Sequence, residues 1–358
     1  MDTPPVSFVP LTIPARIDDA DATDFIDMVE VRNRIYLEIS GNADEDQTPA
    51  ELLPHYQDDP DRTRLVWLVR DEGAPIGRVT VDAFHTPGAR SAYLLVELLR
   101  EVWGRGIGTA GFDLAERTAR ELGRTVMQTF AEHPAASGEH LASPTGFGRI
   151  PRDHTARFLE GRGYVLGQVE RKSVFDLHAD ASVVVAAGEA AAEFAVGYEV
   201  VQWEYPTPEE FTLDYAWMKS RMSTDTPVGD MEVDEEVWDA DRVRRMEQRY
   251  LDSGERVLVT AARHVASGRL CAFNELASRT DPTLASSQMD TLVLSEHRGH
   301  RLGMLVKCAG LRRWRELVPD SPRLLTFNAE ENRPMLSINE TLGFTPAAYI
   351  GAWRRDLE

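Results

Sequence analysis

The chain has 358 residues, with 59 acidic against 39 basic side chains and a net charge of −20. That field excludes nucleic acid as a partner, because such binding rests mostly on neutralising phosphates. The length suggests two domains at about 150 residues each, and no apolar run approaches the roughly 18 residues that a membrane span needs.

Residues up to about Ala20, with Pro4, Pro5, Pro10 and Pro14, read as an irregular lead-in without the basic and apolar regions of a secretory signal, which points to the cytoplasm. From Asp21 the spacing of Phe25, Met28, Val29, Val31 and Ile35 predicts a helix, and 44–60 a polar loop. Runs 65–69 and 76–84 read as a hairpin, and 93–99 as the strand feeding a turn with Gly104, Gly106 and Gly108. A helix over 109–122 and a strand over 126–131 follow. After the Gly- and Pro-containing stretch 133–151 come a helix over 154–161 and a strand over 165–177.

The Ala- and Val-rich stretch 179–197 reads as a linker or bridging helix, after which the order begins again. A short strand over 200–203, helices over 211–222 and 234–253, and a hairpin of 256–266 with 269–278 lead to a strand over 288–294. A second turn with Gly299 and Gly303 runs into a helix over 304–317, then a strand from Leu324 and a last helix before Gly343-Phe344. Cys271 and Cys308 sit in apolar-patterned segments without metal-ligand spacing and read as core residues, so no metal is expected. Such repetition predicts a duplicated α/β (α+β) domain: 1–178 and 198–358, joined by 179–197, each a mixed, mostly antiparallel sheet flanked by helices.

The two glycine turns carry the chemistry. A turn between strand and helix leaves the first N–H groups of the helix without partners at the positive end of its dipole, which suits a phosphate or pyrophosphate. Both stretches resemble the pyrophosphate loop of the GNAT acyltransferase superfamily, Arg/Gln-x-x-Gly-x-Gly/Ala after a strand carrying Val-x-Pro. In the second copy Val293, Arg298 and Gly303 fit, while Arg301 stands at the middle Gly and Ser295 at the Pro. In the first copy Gly106 and Gly108 fit, while Trp103 replaces the Arg/Gln and Arg100 the Pro. From Asn332 to Phe344 the chain also follows in register the family pattern Asn-x-x-Ala-x-x-Leu-Tyr-x-Lys-x-Gly-Phe, with Met335 for the Ala, Ile338 for the Leu, Thr341 for the Lys and Asn339 at the Tyr. In the first half, counting back from Gly163, Leu159 takes that place. The chain looks most like the tandem GNAT proteins of actinobacteria, of the mycothiol-synthase kind.

This resemblance implies direct transfer of an acyl group from acetyl-CoA to an amine, by a monomer or homodimer. The cosubstrate would lie along Leu98, Trp103, Gly104, Arg105, Gly106, Ile107, Gly108 and Thr109 in the first half. In the second it would lie along Leu292, Val293, Leu294, Arg298, Gly299, His300, Arg301, Leu302, Gly303 and Met304, with Asn328 and Asn332 near by. A main-chain N–H at Val293 or Leu294 would meet the developing oxyanion. Glu275, then Asp290, and Glu97 in the first half are the candidate bases, and Asn339 stands where the family's acid is found. The Tyr being absent from both halves, a catalytically silent acyl-CoA-binding scaffold is the alternative to an enzyme. The acidic field is compatible with a cationic small-molecule amine, but plain solubility is the better-favoured reading of it.

Overall fold

The computed structural model describes residues 6–357. In chain order its elements are β1 (Val6–Pro10), α1 (Thr23–Ser40), α2 (Pro49–Tyr56), β2 (Arg62–Asp71), β3 (Ala74–Phe84), β4 (Ser91–Leu98), α3 (Ile107–Glu121), β5 (Val126–His133), β6 (His140–Ala142), β7 (Arg149–Pro151), α4 (His154–Gly161) and β8 (Val165–Asp176). These are followed by α5 (Ser182–Ala192), β9 (Tyr198–Glu204), α6 (Glu209–Asp225), α7 (Ala240–Ser253), β10 (Arg256–His264), β11 (Leu270–Ser278), β12 (Ser286–Val293), α8 (Leu302–Leu317), β13 (Arg323–Ala329), α9 (Arg333–Leu342) and β14 (Thr345–Asp356). No helix among the described residues is long and apolar enough to cross a membrane.

Two compact units result. The first holds the chain up to Val169, residues 228–234 and the chain from Tyr349; the second holds Glu170–Pro227 and Glu235–Ala348. In the first unit the strand order is β1-β2-β3-β4-β5-β14, and in the second β8-β13-β12-β11-β10-β9. Pairing is antiparallel except for β4 with β5 and β12 with β13, which are parallel. The mixed, mostly antiparallel sheets agree with the sequence reading.

The division of the chain does not follow the 179–197 stretch. The passage falls inside β8, after Val169. Residues 170–176 pair with β13 in the second unit, and 349–356 pair with β5 in the first. Each sheet is thus completed by a strand from the opposite half of the sequence, a long-range exchange that no local pattern announces. The stretch expected to link the halves contains α5, which packs on α8 in the second unit; at Gly188 a Cβ would come 3.1 Å from that of Cys308. Residues 228–234 return to the first unit, where Gln128 donates to the Glu232 carbonyl at 2.9 Å and accepts from its N–H at 3.0 Å.

In the first unit, alternation along β3 sends Val79 and Val81 toward Phe112 and Ala115 of α3 and Leu159 of α4. The opposite face packs Leu68 of β2 under Phe25 and Met28 of α1 and Leu53 of α2. In the second unit Tyr215 and Met218 of α6 and Val243 of α7 cover Phe273, while Trp314 and Leu311 of α8 lie with Phe175, Leu324 and Phe344. Both cysteines are buried and unpaired.

Three local expectations change. The lead-in contains β1, paired with β2 from Val6 to Pro10, a place where the edge of a sheet tolerates proline. The loop 44–60 contains α2, started by a capping box in which Glu51 N–H donates to Thr48 Oγ1 at 3.2 Å and Thr48 N–H to Glu51 Oε2 at 2.8 Å. The helix expected from 234 starts at Ala240, where Asp239 takes the Arg242 N–H at 2.8 Å.

Candidate functional site

In each unit a pair of parallel strands opens into a wedge. β4 and β5 pair only through Ser91, Ala92 and Tyr93, and β12 and β13 only through Ser286 and Ser287. Beyond these residues each strand keeps its antiparallel neighbour but not its parallel one, leaving main-chain groups open to an extended ligand.

Alternation of antiparallel hydrogen bonding shows which groups these are. Leu294 N–H donates to Cys271 C=O at 3.0 Å, so the neighbouring pair Ala272 and Val293 is not hydrogen-bonded and Val293 turns its N–H and C=O toward the wedge. Of the two oxyanion donors expected from the sequence, Leu294 is therefore committed and Val293 is open. Leu98 stands alike in the first unit, because Leu99 N–H donates to Ile76 C=O at 3.0 Å.

The wedge carbonyl is braced in both units. Arg298 Nε donates to Val293 C=O at 3.3 Å, and at the corresponding place Trp103 Nε1 donates to Leu98 C=O at 2.9 Å. Indole and guanidinium thus do one job, which explains how Trp103 replaces the expected Arg or Gln. Trp103 also stacks on His154, with ring centroids 4.8 Å apart. Trp103→Phe should keep the stacking and lose the hydrogen bond, lowering stability by about 1 kcal/mol; urea unfolding with an unchanged midpoint would show that the brace does nothing.

The turns themselves match. Gly104 and Gly106 have φ of 75° and 81°, and Gly299 and Arg301 have 89° and 54°. Arg301 therefore adopts the left-handed conformation that glycine takes in the first copy, a state costing about 1–2 kcal/mol for a residue with a Cβ. Its guanidinium lies 3.8 Å from the centre of the Phe194 ring, a cation–π contact that offsets part of this. The first helical bonds run from Ala110 N–H to Gly106 C=O at 3.1 Å and from Leu305 N–H to Arg301 C=O at 3.0 Å. The N–H groups of Ile107, Gly108 and Thr109, and of Leu302, Gly303 and Met304, precede them and have no carbonyl one turn back. Arg105 pairs with Asp71 at 2.7 Å. Beside the second turn, His300 Nδ1 lies 3.4 Å from Phe194 C=O, and Tyr198 OH lies 3.0 Å from His297 Nδ1. Burial holds the His297 ring below the usual histidine range, against the pull of Glu296.

The candidate bases have different fates. Glu275 is fully buried; it accepts from Tyr215 OH and from Lys219 Nζ at 3.3 Å, and Tyr215 OH in turn lies 2.9 Å from Tyr205 OH. Burial pushes the Glu275 carboxyl up, opposed by the Lys219 ammonium. Burial also works to lower Lys219, but Asp290 and Glu275 outweigh it and hold the amine above its ordinary value. A β-bulge sets Met289 and Asp290 of β12 opposite the single residue Glu275 and re-aims Asp290. The Asp290 side chain keeps 37 % exposure while accepting from Lys219 Nζ at 2.6 Å. In the first unit Glu97 is locked to Arg78 at 2.7 Å, with Tyr56 OH accepting from the same guanidinium at 2.8 Å. Asp290 is thus the carboxylate of this group that reaches solvent, and Glu275 and Glu97 are internal ion-pair partners.

Asn332 caps α9, accepting from Met335 N–H at 3.4 Å. Asn339, buried where a tyrosine was expected, donates to Asn328 Oδ1 at 2.7 Å and accepts from Lys307 Nζ at 2.6 Å. Burial drives the Lys307 amine down to about 7. Lys307 was missed from the sequence, since a lysine on a helix ordinarily reads as a solvated side chain.

The sequence profile of the acetyltransferase (GNAT) family matches residues 27–142. No curated protein matches the chain. Among solved structures, a tandem GNAT protein from the clavulanic acid biosynthesis pathway, without acetyl-CoA, is 23% identical with a TM-score of 0.74, covering 98% of each chain. A GCN5-related N-acetyltransferase from Sphaerobacter thermophilus is 14% identical with a TM-score of 0.61, over 98% of this chain and 95% of that one. A putative acetyltransferase from Pyrococcus horikoshii is 12% identical with a TM-score of 0.54, over 100% and 92%. Likeness at these identities speaks for the fold alone: the chain as a whole has the fold of the tandem GNAT structure, and within it residues 27–142 match the family profile.

Proposed function

We propose that the protein is an acetyl-CoA-dependent N-acetyltransferase that acylates a primary amine of a small molecule, with the chemistry in the second unit. One observation carries this reading: the wedge of that unit sets an open main-chain donor, Val293 N–H, on the same strand as the partly exposed carboxylate of Asp290. Acetyl-CoA is a substrate here, its pyrophosphate on the N–H groups of 302–304 and its pantetheine arm along Val293. The neutral amine attacks the thioester carbonyl, Val293 N–H donates to the oxyanion, and Asp290 accepts the proton that the nitrogen loses. Glu275 and Lys219 hold the bulge that aims Asp290. The first unit keeps a phosphate loop, but its expected base, Glu97, is paired with Arg78 and only 12 % exposed, against 37 % for Asp290.

An assay of acetyl-CoA against an amine panel tests the reading. Asp290→Asn should lower kcat/KM about 10²–10⁴-fold, the range of general base catalysis, with CoA affinity unchanged by calorimetry. CoA binding without turnover of any amine would instead favour a catalytically silent scaffold, the reading to which the pairing of Asp290 with Lys219 and the missing tyrosine lend weight. The cytoplasm is the proposed location.

A further inference from the structure

Lys307 has no place in the scheme above, and its environment is unusual for a lysine. The side chain is fully buried, and among the described residues no carboxylate pairs with it; its amine donates to the Asn339 amide oxygen at 2.6 Å. Burying an amine beside an amide rather than a carboxylate is costly. A methionine would fill the same volume without that penalty, so packing does not account for the residue.

The order of donors and acceptors does. Lys307 Nζ donates to the Asn339 oxygen, the one orientation open to the charged amine, which has only hydrogens to offer. The Asn339 nitrogen is then left to face Asn328, where it donates to Oδ1 at 2.7 Å. Asn328 in turn has its oxygen engaged and its two N–H groups to present. It lies on β13 beyond Leu324 and Leu325, the residues that pair with β12, and so stands where the wedge has opened; its side is half-buried, while Asn339 is 1% exposed. The one-turn neighbour of Lys307 on α8, Gly303, lies close to the same wedge: a Cβ there would come 3.5 Å from Val293 Cγ2 and 3.2 Å from Ile338 Cδ1.

We propose that Lys307 is a positioning residue which, through Asn339, fixes the Asn328 amide with its N–H groups toward the wedge, where they hold the thiolate released from acetyl-CoA. This rests on the reading that the second unit binds acyl-CoA. As the amine nitrogen forms its bond to the carbonyl carbon, the C–S bond breaks and its electrons stay on sulfur. The nitrogen's surplus proton goes to Asp290, and the thiolate is stabilised by Asn328 N–H until it takes a proton from water. The relay moves no proton itself; it sets the polarity of the last amide. It supplies hydrogen-bond donation at a site where neither half keeps a tyrosine hydroxyl.

The measurement is the thiol pKa of bound CoA, followed by thiolate absorbance across a pH titration of the full-length protein carrying Gly106→Asp to disable the first loop. In that background the bound thiol should titrate about one pH unit below free CoA, the effect of hydrogen bonds to the charged form. Lys307→Met should return it to the free value. Asn328→Asp, at a half-buried position that keeps the fold, should move it above the free value, a reversal that loss of packing cannot produce. CoA that binds with an unshifted thiol, or a thiol indifferent to Asn328→Asp, overturns the proposal alone. Failure of CoA to bind this protein overturns it together with the acyl-CoA reading.

Discussion

Lys219→Met is expected to lower the melting temperature by roughly 10 °C. The replaced ammonium is the sole cation among the groups that touch Glu275, whose carboxylate is fully buried with Tyr215 and Lys219 as partners. Breaking a buried pair by removing one member costs about 3–5 kcal/mol, because the other charge stays buried and uncompensated, and each kcal/mol is worth roughly 2–4 °C in a unit of this size. The deficit should depend on pH with a definite sign. Burial already raises the folded-state pKa of Glu275. Such a group favours the folded protein below the ordinary carboxylate range, and that contribution is lost as pH climbs through the folded value. Without Lys219 the folded value rises further, so the variant should be worst near neutrality and approach the parent as pH falls toward the carboxylate range. Adding Glu275→Leu to Lys219→Met should restore most of the loss. A melting temperature within 2 °C of the parent at neutral pH would show that this pair is not buried as described.

The second large effect concerns the turns. Gly303→Asp is expected to reduce acetyl-CoA-dependent turnover at least about 100-fold, since a carboxylate about 4 Å from a bound phosphate costs about 4 kcal/mol at an effective dielectric of 20. The site is also tight, with Ile338 Cδ1 only 3.2 Å from the new Cβ. Gly108→Asp offers the matched control: its Cβ would meet Phe158 at 3.6 Å and Leu98 at 3.8 Å, ordinary contacts that the fold accepts. Turnover in that variant should stay within about threefold of the parent if catalysis belongs to the second unit. Should Gly108→Asp abolish turnover and Gly303→Asp spare it, catalysis lies in the first unit. Thermal melts of both variants separate loss of ligand from loss of fold.

Much of the architecture is legible because hydrophobic period and glycine placement are local signals. Both turns, the repeated order of elements and the buried cysteines follow from them. What escapes is whatever two unlike residues do alike. Trp103 and Arg298 share no chemical class, yet each presents one N–H to the carbonyl of a wedge strand. Arg301 occupies glycine's conformation because Phe194, distant in sequence, takes its guanidinium. Glu275 and Asp290 look equivalent as strand carboxylates until a bulge buries one and exposes the other. The start of α2 was within reach, since Thr48 and Glu51 carry the spacing of a capping box. The division into units was not, because pairing between strands far apart in sequence decides it.

That division bears on how the protein is made. The ribosome delivers β5 long before residues 349–356, its antiparallel neighbour in the finished first unit. At roughly 5–20 residues per second the wait is on the order of ten seconds or more. Throughout that interval the nascent chain carries a bare strand edge in which Met127 and Phe130 flank free peptide groups, a template for mispairing with neighbouring chains. Synthesis of residues 349–356, rather than emergence of the first half, is then the event that seals the first sheet, and a protein cut between its halves would leave both sheets with a raw edge.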